Sequence, residues 1–182
     1  MRILVISDTH GYVSPAMEIY RNQHEIEPID CIVHLGDLVS DARALKARLH
    51  AEVISVKGNM DGSHSEEDYK ILTTEYGNLL LCHGHMQNVK YDTQNLLYRA
   101  EELGCKAALY GHTHIPSFVD ANGIYLLNPG SLSLPKGGNP GSYAMIETSS
   151  EEFRATILFE PPKKPKVTGG YLRDLLNNSD RA

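Results

Sequence analysis

The sequence predicts a layered α/β sandwich, in which a parallel sheet is faced by a second, β-richer sheet. Three observations carry this. Apolar runs alternate with helical patterns over residues 1–59; the spacing then shortens into hairpin-like pairs; and a chain of 182 residues with 41% hydrophobic and 22% charged residues has the make-up of one soluble globular domain.

Taken in order, Ile3-Leu4-Val5-Ile6 is a short, continuous apolar run rich in β-branched residues, the pattern of a strand buried on both faces. Ser14-Pro15 opens a helix toward His24, with Ser14 as N-cap and Pro at the first helical position. Cys31 to Leu35 is a second strand. Ser40 or Asp41 then caps a helix with Ala44, Leu45 and Leu49 as its apolar stripe, and Val53 to Val56 is a third strand. This β-α-β-α-β order predicts parallel strands joined by right-handed crossovers. Beyond it, Tyr69–Glu75 and Leu79–Cys82 form a hairpin around Gly77. Thr93–Leu103 reads as a helix closed by Gly104, and Ala107–Tyr110 as a strand. Two further hairpins turn at Ala121-Asn122-Gly123 and at Ser149-Ser150.

A net charge of −6 excludes a broad nucleic-acid or membrane-surface binder, since no bulk positive field attracts phosphates. Cys31, Cys82 and Cys105 are odd in number and lack C-x-x-C spacing, which predicts reduced thiols rather than a disulfide framework or zinc knuckle. The chain shows no signal peptide and no apolar stretch near the ~20 residues of a membrane span, so a cytoplasmic protein is expected. Nine histidines with no tryptophan is the one compositional feature that fits no class.

Those histidines cluster at strand ends. The first strand ends in Asp8-Thr9-His10, the second in Gly36-Asp37, the third in Gly58-Asn59. The hairpin strand ends in His83-Gly84-His85, and the next strand in Gly111-His112-Thr113-His114. In an extended segment residues i and i+2 project to one side, so Asp8 with His10, and His112 with His114, can share one metal. Carboxyl ends of strands are where α/β sheets bind ligands. His24, His34, His50 and His64 lack partners at ligand spacing and are expected to be surface or core residues.

This ordered set resembles the calcineurin-like metallophosphoesterases, in particular the small single-domain bacterial and archaeal phosphodiesterases. Asn128-Pro129-Gly130-Ser131 and Ser133-Leu134-Pro135 are similar to that branch as well. The resemblance implies a four-layer α/β/β/α sandwich over residues 1–160, with 161–182 a linker and a short C-terminal tail or helix. It implies that Asp8, His10 and His114 hold one divalent metal, that Asn59, His83 and His112 hold a second, and that Asp37 bridges them. It further implies hydrolysis of small phosphodiesters by in-line attack of a hydroxide shared by the metals. Imidazole, carboxylate and amide ligands without thiolates suit Mn²⁺ first, with Fe, Zn²⁺ or Ni²⁺ as alternatives. Two such ions less two carboxylates and a hydroxide leave about +1, a positive focus for phosphate in an acidic protein.

One position departs from the pattern. Many relatives have His after the Asn, where it serves the leaving group; here Met60 follows Asn59. His85 is the nearest substitute acid, the alternative being that it orients a ligand. Asp37, Asn59 and His85 are therefore the expected catalytic residues. The Gly/Pro/Ser-rich loop Asn128–Gly141 either supports His112 and His114 through Asn128 or Ser131, or is simply a fixed connection. Two other functions remain open: a non-catalytic scaffold like the retromer subunit of this fold, and a nuclease. No membrane partner is expected, and the C-terminal segment is the place where a homo-oligomer would form.

Overall fold

Alternation of side chains across a strand decides where this molecule buries its apolar runs. In a computed structural model that describes residues 1–62 and 66–161, β1 (Arg2–Ile6) sends Ile3 and Val5 to one side and Leu4 and Ile6 to the other. Both faces are covered, which is why the run is apolar throughout. β1 pairs in parallel with β2 (Cys31–His34), and β2 with β3 (Val53–Ser55). On its other edge β1 runs antiparallel to β9 (Ser142–Thr148), which pairs with β10 (Phe153–Phe159). The first sheet is therefore mixed, in the order β10-β9-β1-β2-β3.

The second sheet contains β4 (Tyr69–Thr73), β5 (Asn78–Cys82), β6 (Ala107–Leu109), β7 (Ser117–Ala121) and β8 (Ile124–Asn128), in the order β4-β5-β6-β8-β7. Leu79, Leu81, Ala107, Leu109 and Leu127 meet Ile3, Val5, Val33 and Ile146 of the first sheet in one core. Helices α1 (Ser14–Ile26) and α2 (Val39–Leu49) cover the outer face of the first sheet through Ala16, Ala42 and Leu45. Helix α3 (Gln94–Glu102) covers the second through Leu96 and Ala100. The layers are thus α/β/β/α, as expected. Each fully buried Leu or Ile contributes roughly 1.5–3 kcal/mol.

Helix ends differ from expectation. α1 starts at Ser14 with Val13 as N-cap, and α2 starts at Val39 with Leu38 as N-cap; neither has a capping side chain of its own. Asp61, distant in sequence, accepts the Val39 N–H at 2.9 Å, while Asp41 is engaged elsewhere. α3 ends as predicted, because Gly104 takes φ +63° and the Gly104 and Cys105 amides bond back to Glu101 and Ala100. The β7–β8 turn places Asn122 and Gly123 at φ 57° and 83°, the left-handed pair that a tight hairpin requires. His24 accepts the Ile29 N–H and stacks on Tyr20, and His50 closes α2 in the left-handed conformation. His64 and residues 162–182, where the sequence predicts most of a linker and tail, lie outside the described residues.

Candidate metal centre

Five strands from both sheets end at one edge, and the motif residues sit in the loops just beyond them. β1, β2 and β3 of the first sheet lead to Asp8 and His10, Asp37 and Asn59; β5 and β6 of the second lead to His83, His85, His112 and His114. The extended i, i+2 geometry expected for the paired ligands is not what presents them. Asp8, His10, Asp37, His112 and His114 have φ of 52°, 46°, 81°, 67° and 62°. The strands stop at Ile6, His34 and Leu109, and the chain then bends sharply, so consecutive candidate ligands turn into one space instead of projecting from a strand. Left-handed backbone at a non-glycine residue costs about 1–2 kcal/mol and persists only where the surroundings impose it.

The surroundings do impose it. Ser131 and Ser133 hydroxyls donate to the Asp8 carbonyl at 2.7 and 3.0 Å. Thr9, fully buried, donates its hydroxyl to Asp41 Oδ2 at 2.6 Å, and Asp41 also accepts the Gly11 N–H at 2.7 Å. His34 Nε2 lies 2.9 Å from the Thr9 oxygen. Because the Thr9 proton is directed at Asp41, His34 is the donor in that contact. Asn128 Nδ2 donates to the Gly111 carbonyl and to Thr113 Oγ1, both at 2.9 Å, fixing the segment that bears His112 and His114. Two glycines permit close approach: a Cβ at Gly58 would meet Asp37 N at 2.1 Å, and one at Gly111 would meet Ser7 Oγ at 1.9 Å.

The ring nitrogens face inward as free lone pairs. His83 Nδ1 donates to the Leu35 carbonyl at 2.7 Å and His114 Nδ1 to the Leu134 carbonyl at 2.7 Å, so each Nε2 is unprotonated in the neutral ring. His83 Nε2 then stands 2.8 Å from Asn59 Oδ1 and 3.2 Å from His112 Nδ1. His114 Nε2 stands 3.3 Å from both His10 Nε2 and Asp8 Oδ1. His10 Nδ1 lies 2.8 Å from Asp37 Oδ2, a charge contact without the direction of a hydrogen bond. Asp8 Oδ1 and Asp37 Oδ2 are buried and accept no hydrogen bond.

Lone pairs and orphaned carboxylate oxygens converging at these distances repel unless a cation lies among them. Among the described residues two groups have donor atoms within 4.8 Å of one another: Asp8, His10 and His114, and Asp8, Asp37 and His83. Titration behaviour fits the same picture. Burial would raise the Asp8 carboxyl, but the His114 contact, the nearby His83 and the Ser7 hydroxyl together bring it down to about 2. Burial pushes Asp37 up, against the pull of His10. Burial, reinforced by His83, lowers His112 to about 4, and burial lowers His83 as well, leaving both rings neutral and able to ligate. Contact with Asp8 raises His114, which marks where a positive charge is favoured. The three cysteines are buried in the cores and contribute no ligand.

His85 stands at the margin, its ring centroid 5.4 Å from that of His83 and 6.1 Å from that of His112. Asn59 and Met60 are exposed. Sequence reasoning missed Thr9, His34 and Asp41, although one signal was available: His34 is an imidazole at the end of an otherwise wholly apolar buried strand. It divided the Asn128–Gly141 loop too coarsely, since Asn128 supports the His112 segment whereas Ser131 holds Asp8.

Residues 1–151 match the model of the calcineurin-like phosphoesterase superfamily domain. Bacillus subtilis (strain 168) has a probable metallophosphoesterase, YsnB, that is 34% identical over 97% of this chain and 98% of its own. Phosphodiesterase YfcE of Escherichia coli (strain K12) is 31% identical over 81% of this chain and 88% of its own. Among solved structures, a conserved protein of Streptococcus pneumoniae TIGR4, described as a predicted phosphoesterase, superposes with a TM-score of 0.74. It is 30% identical and covers 89% of this chain and 93% of that one.

Proposed function

Since the chain belongs to the calcineurin-like phosphoesterase superfamily, we propose that it is a dinuclear metal-dependent phosphodiesterase acting on small diesters. The observation that carries this reading is the pair of buried, unpartnered carboxylate oxygens, Asp8 Oδ1 and Asp37 Oδ2, among the lone pairs of His10, His83 and His114. Asp8, His10 and His114 would hold one ion, and Asn59, His83 and His112 the other. Asp37, which approaches His10 and groups with His83, would serve both. The donor set suits Mn²⁺ first, then Fe, Zn²⁺ or Ni²⁺. Such ions supply a water of lowered pKa and the positive charge needed for in-line displacement at phosphorus.

The protein's own groups do the rest. Asn59 is exposed at the mouth, where its amide can meet a phosphate oxygen as well as a metal. Met60 offers no proton, so His85, half-buried at the margin and held toward its neutral form by burial, is the group assigned to the leaving oxygen. The name of the Escherichia coli relative supports a diester substrate. Three free thiols and a net charge of −6 go with a cytoplasmic enzyme for small diesters rather than long nucleic acid. Among the described residues no helix is long and apolar enough to cross a membrane.

The test is a metal-reconstituted screen of natural diesters and monoesters, with Asp37→Asn as control and metal content measured alongside. Two equivalents of metal and faster diester than monoester cleavage are expected. A stoichiometry near zero after saturation would sink the reading in favour of a scaffold. Cleavage confined to long DNA or RNA would turn it into a nuclease.

A further inference from the structure

The segment that bears His112 and His114 has a second side. Its alternate residues, Thr113 and Ile115, line a surface cavity of about 460 Å³ together with Val89, Tyr110, Lys90 and Lys136. The cavity and the metal centre therefore share one short stretch of backbone as a common wall. Lys136 is tied to it directly, because its amide donates to the His114 carbonyl at 3.0 Å.

The two lysines differ from three others in this molecule. Lys46, Lys57 and Lys70 each reach a carboxylate, at 3.5, 3.0 and 2.7 Å. Lys90 and Lys136 form no ion pair among the described residues, and no acidic side chain lines their cavity. In a chain of net charge −6, two cations with no ion pair among the described residues line one concavity together with Val89, Tyr110 and Ile115. Cations without acidic partners accept an anion at no cost in broken ion pairs, and the apolar wall suits the flat face of a ring.

We propose that this cavity is a substrate subsite for a second phosphate, carried on a nucleotide-like diester beyond the bond that is cleaved. The proposal rests on the phosphodiesterase reading and narrows its substrate class to diesters with an additional phosphate. Lys90 and Lys136 bind that phosphate, while the exposed Ile115 packs against the attached nucleoside.

A matched pair of ligands tests it: the dinucleotides ApA and pApA, which differ by one phosphate, both with a phosphorothioate linkage that resists hydrolysis. Calorimetry on the full metal-loaded chain is expected to show pApA binding roughly tenfold tighter, as two exposed charge pairs supply. The preference should shrink with added salt. It should fall toward unity in K90Q/K136Q and persist in K106Q, a lysine outside the cavity. Equal affinities for the two ligands, or a preference that survives K90Q/K136Q because the phosphate sits on the metals, overturns the subsite. Turnover of bis(p-nitrophenyl) phosphate by the same preparation is read separately. Its absence overturns the phosphodiesterase reading, whereas its presence with equal dinucleotide affinities overturns only the subsite.

Discussion

Thr9→Val exchanges a hydroxyl for a methyl at constant shape in a site with no solvent access. Two hydrogen bonds go with it. The bond to the Asp41 carboxylate, at 2.6 Å, is charge-assisted and contributes roughly 1.5–3 kcal/mol. The second, from His34 at 2.9 Å, leaves that imidazole with no partner on either nitrogen, since its Nδ1 already has none; an unmet buried donor costs about 1–3 kcal/mol. The two losses share one oxygen and do not add fully, so the expected destabilisation is about 3 kcal/mol, a large part of the roughly 5–15 kcal/mol available to a domain. Urea unfolding of the metal-free protein measures it. Because Thr9 lies between Asp8 and His10, which hold left-handed backbone, metal affinity should also fall by about 10–100-fold. Thr9→Ser keeps the hydroxyl and loses one methyl, a change of about 0.8 kcal/mol, and should restore metal affinity. A loss below about 0.5 kcal/mol in the Val variant, or equal metal affinities for Val and Ser, would refute the role assigned to this hydroxyl.

Asp37→Asn should reduce the bound metal below two equivalents and abolish turnover; near-normal rates in excess metal contradict a shared carboxylate. Burial lowers His34 to about 4 from an ordinary value near 6.5, so between those pH values the unfolded chain binds a proton that the folded one does not. Stability of the metal-free protein should therefore fall as pH drops from about 6.5 to about 4, and the slope should flatten by up to one proton in His34→Gln; unchanged slopes in urea titrations would show that His34 is not the group responsible. His85→Ala should slow an unactivated alkyl diester far more than bis(p-nitrophenyl) phosphate, and equal slowing of both would remove His85 as the acid.

Elements buried on both faces were the most legible, because β1, β2 and β5 are apolar at all but one terminal position and too short for a helix. Helix starts were not, because an acidic residue near a helix can bond any amide the fold brings to it. Asp41 serves Gly11 and Thr9, and the cap of α2 comes from Asp61. The residues of the centre were legible as types at strand ends, whereas the way they converge was not. That convergence depends on left-handed backbone at Asp8, His10, Asp37, His112 and His114, and pairwise spacing says nothing of it. Thr9 and His34 carry no spacing signal because their partners lie far along the chain, and only the imidazole in an apolar strand marks His34. The cavity under Lys90 and Lys136 joins residues from three loops and strands, so no local pattern announces it.

The distribution of ligands between the two sheets has a mechanical consequence. Asp8, His10, Asp37 and Asn59 belong to one half of the sandwich and His83, His112 and His114 to the other, and the halves meet across a mostly aliphatic core. Cations gripped by both halves would act as rivets, adding directional bonds to contacts that have no direction of their own. The same division means that neither half holds all the proposed ligands, so the centre would form only where both sheets are in place.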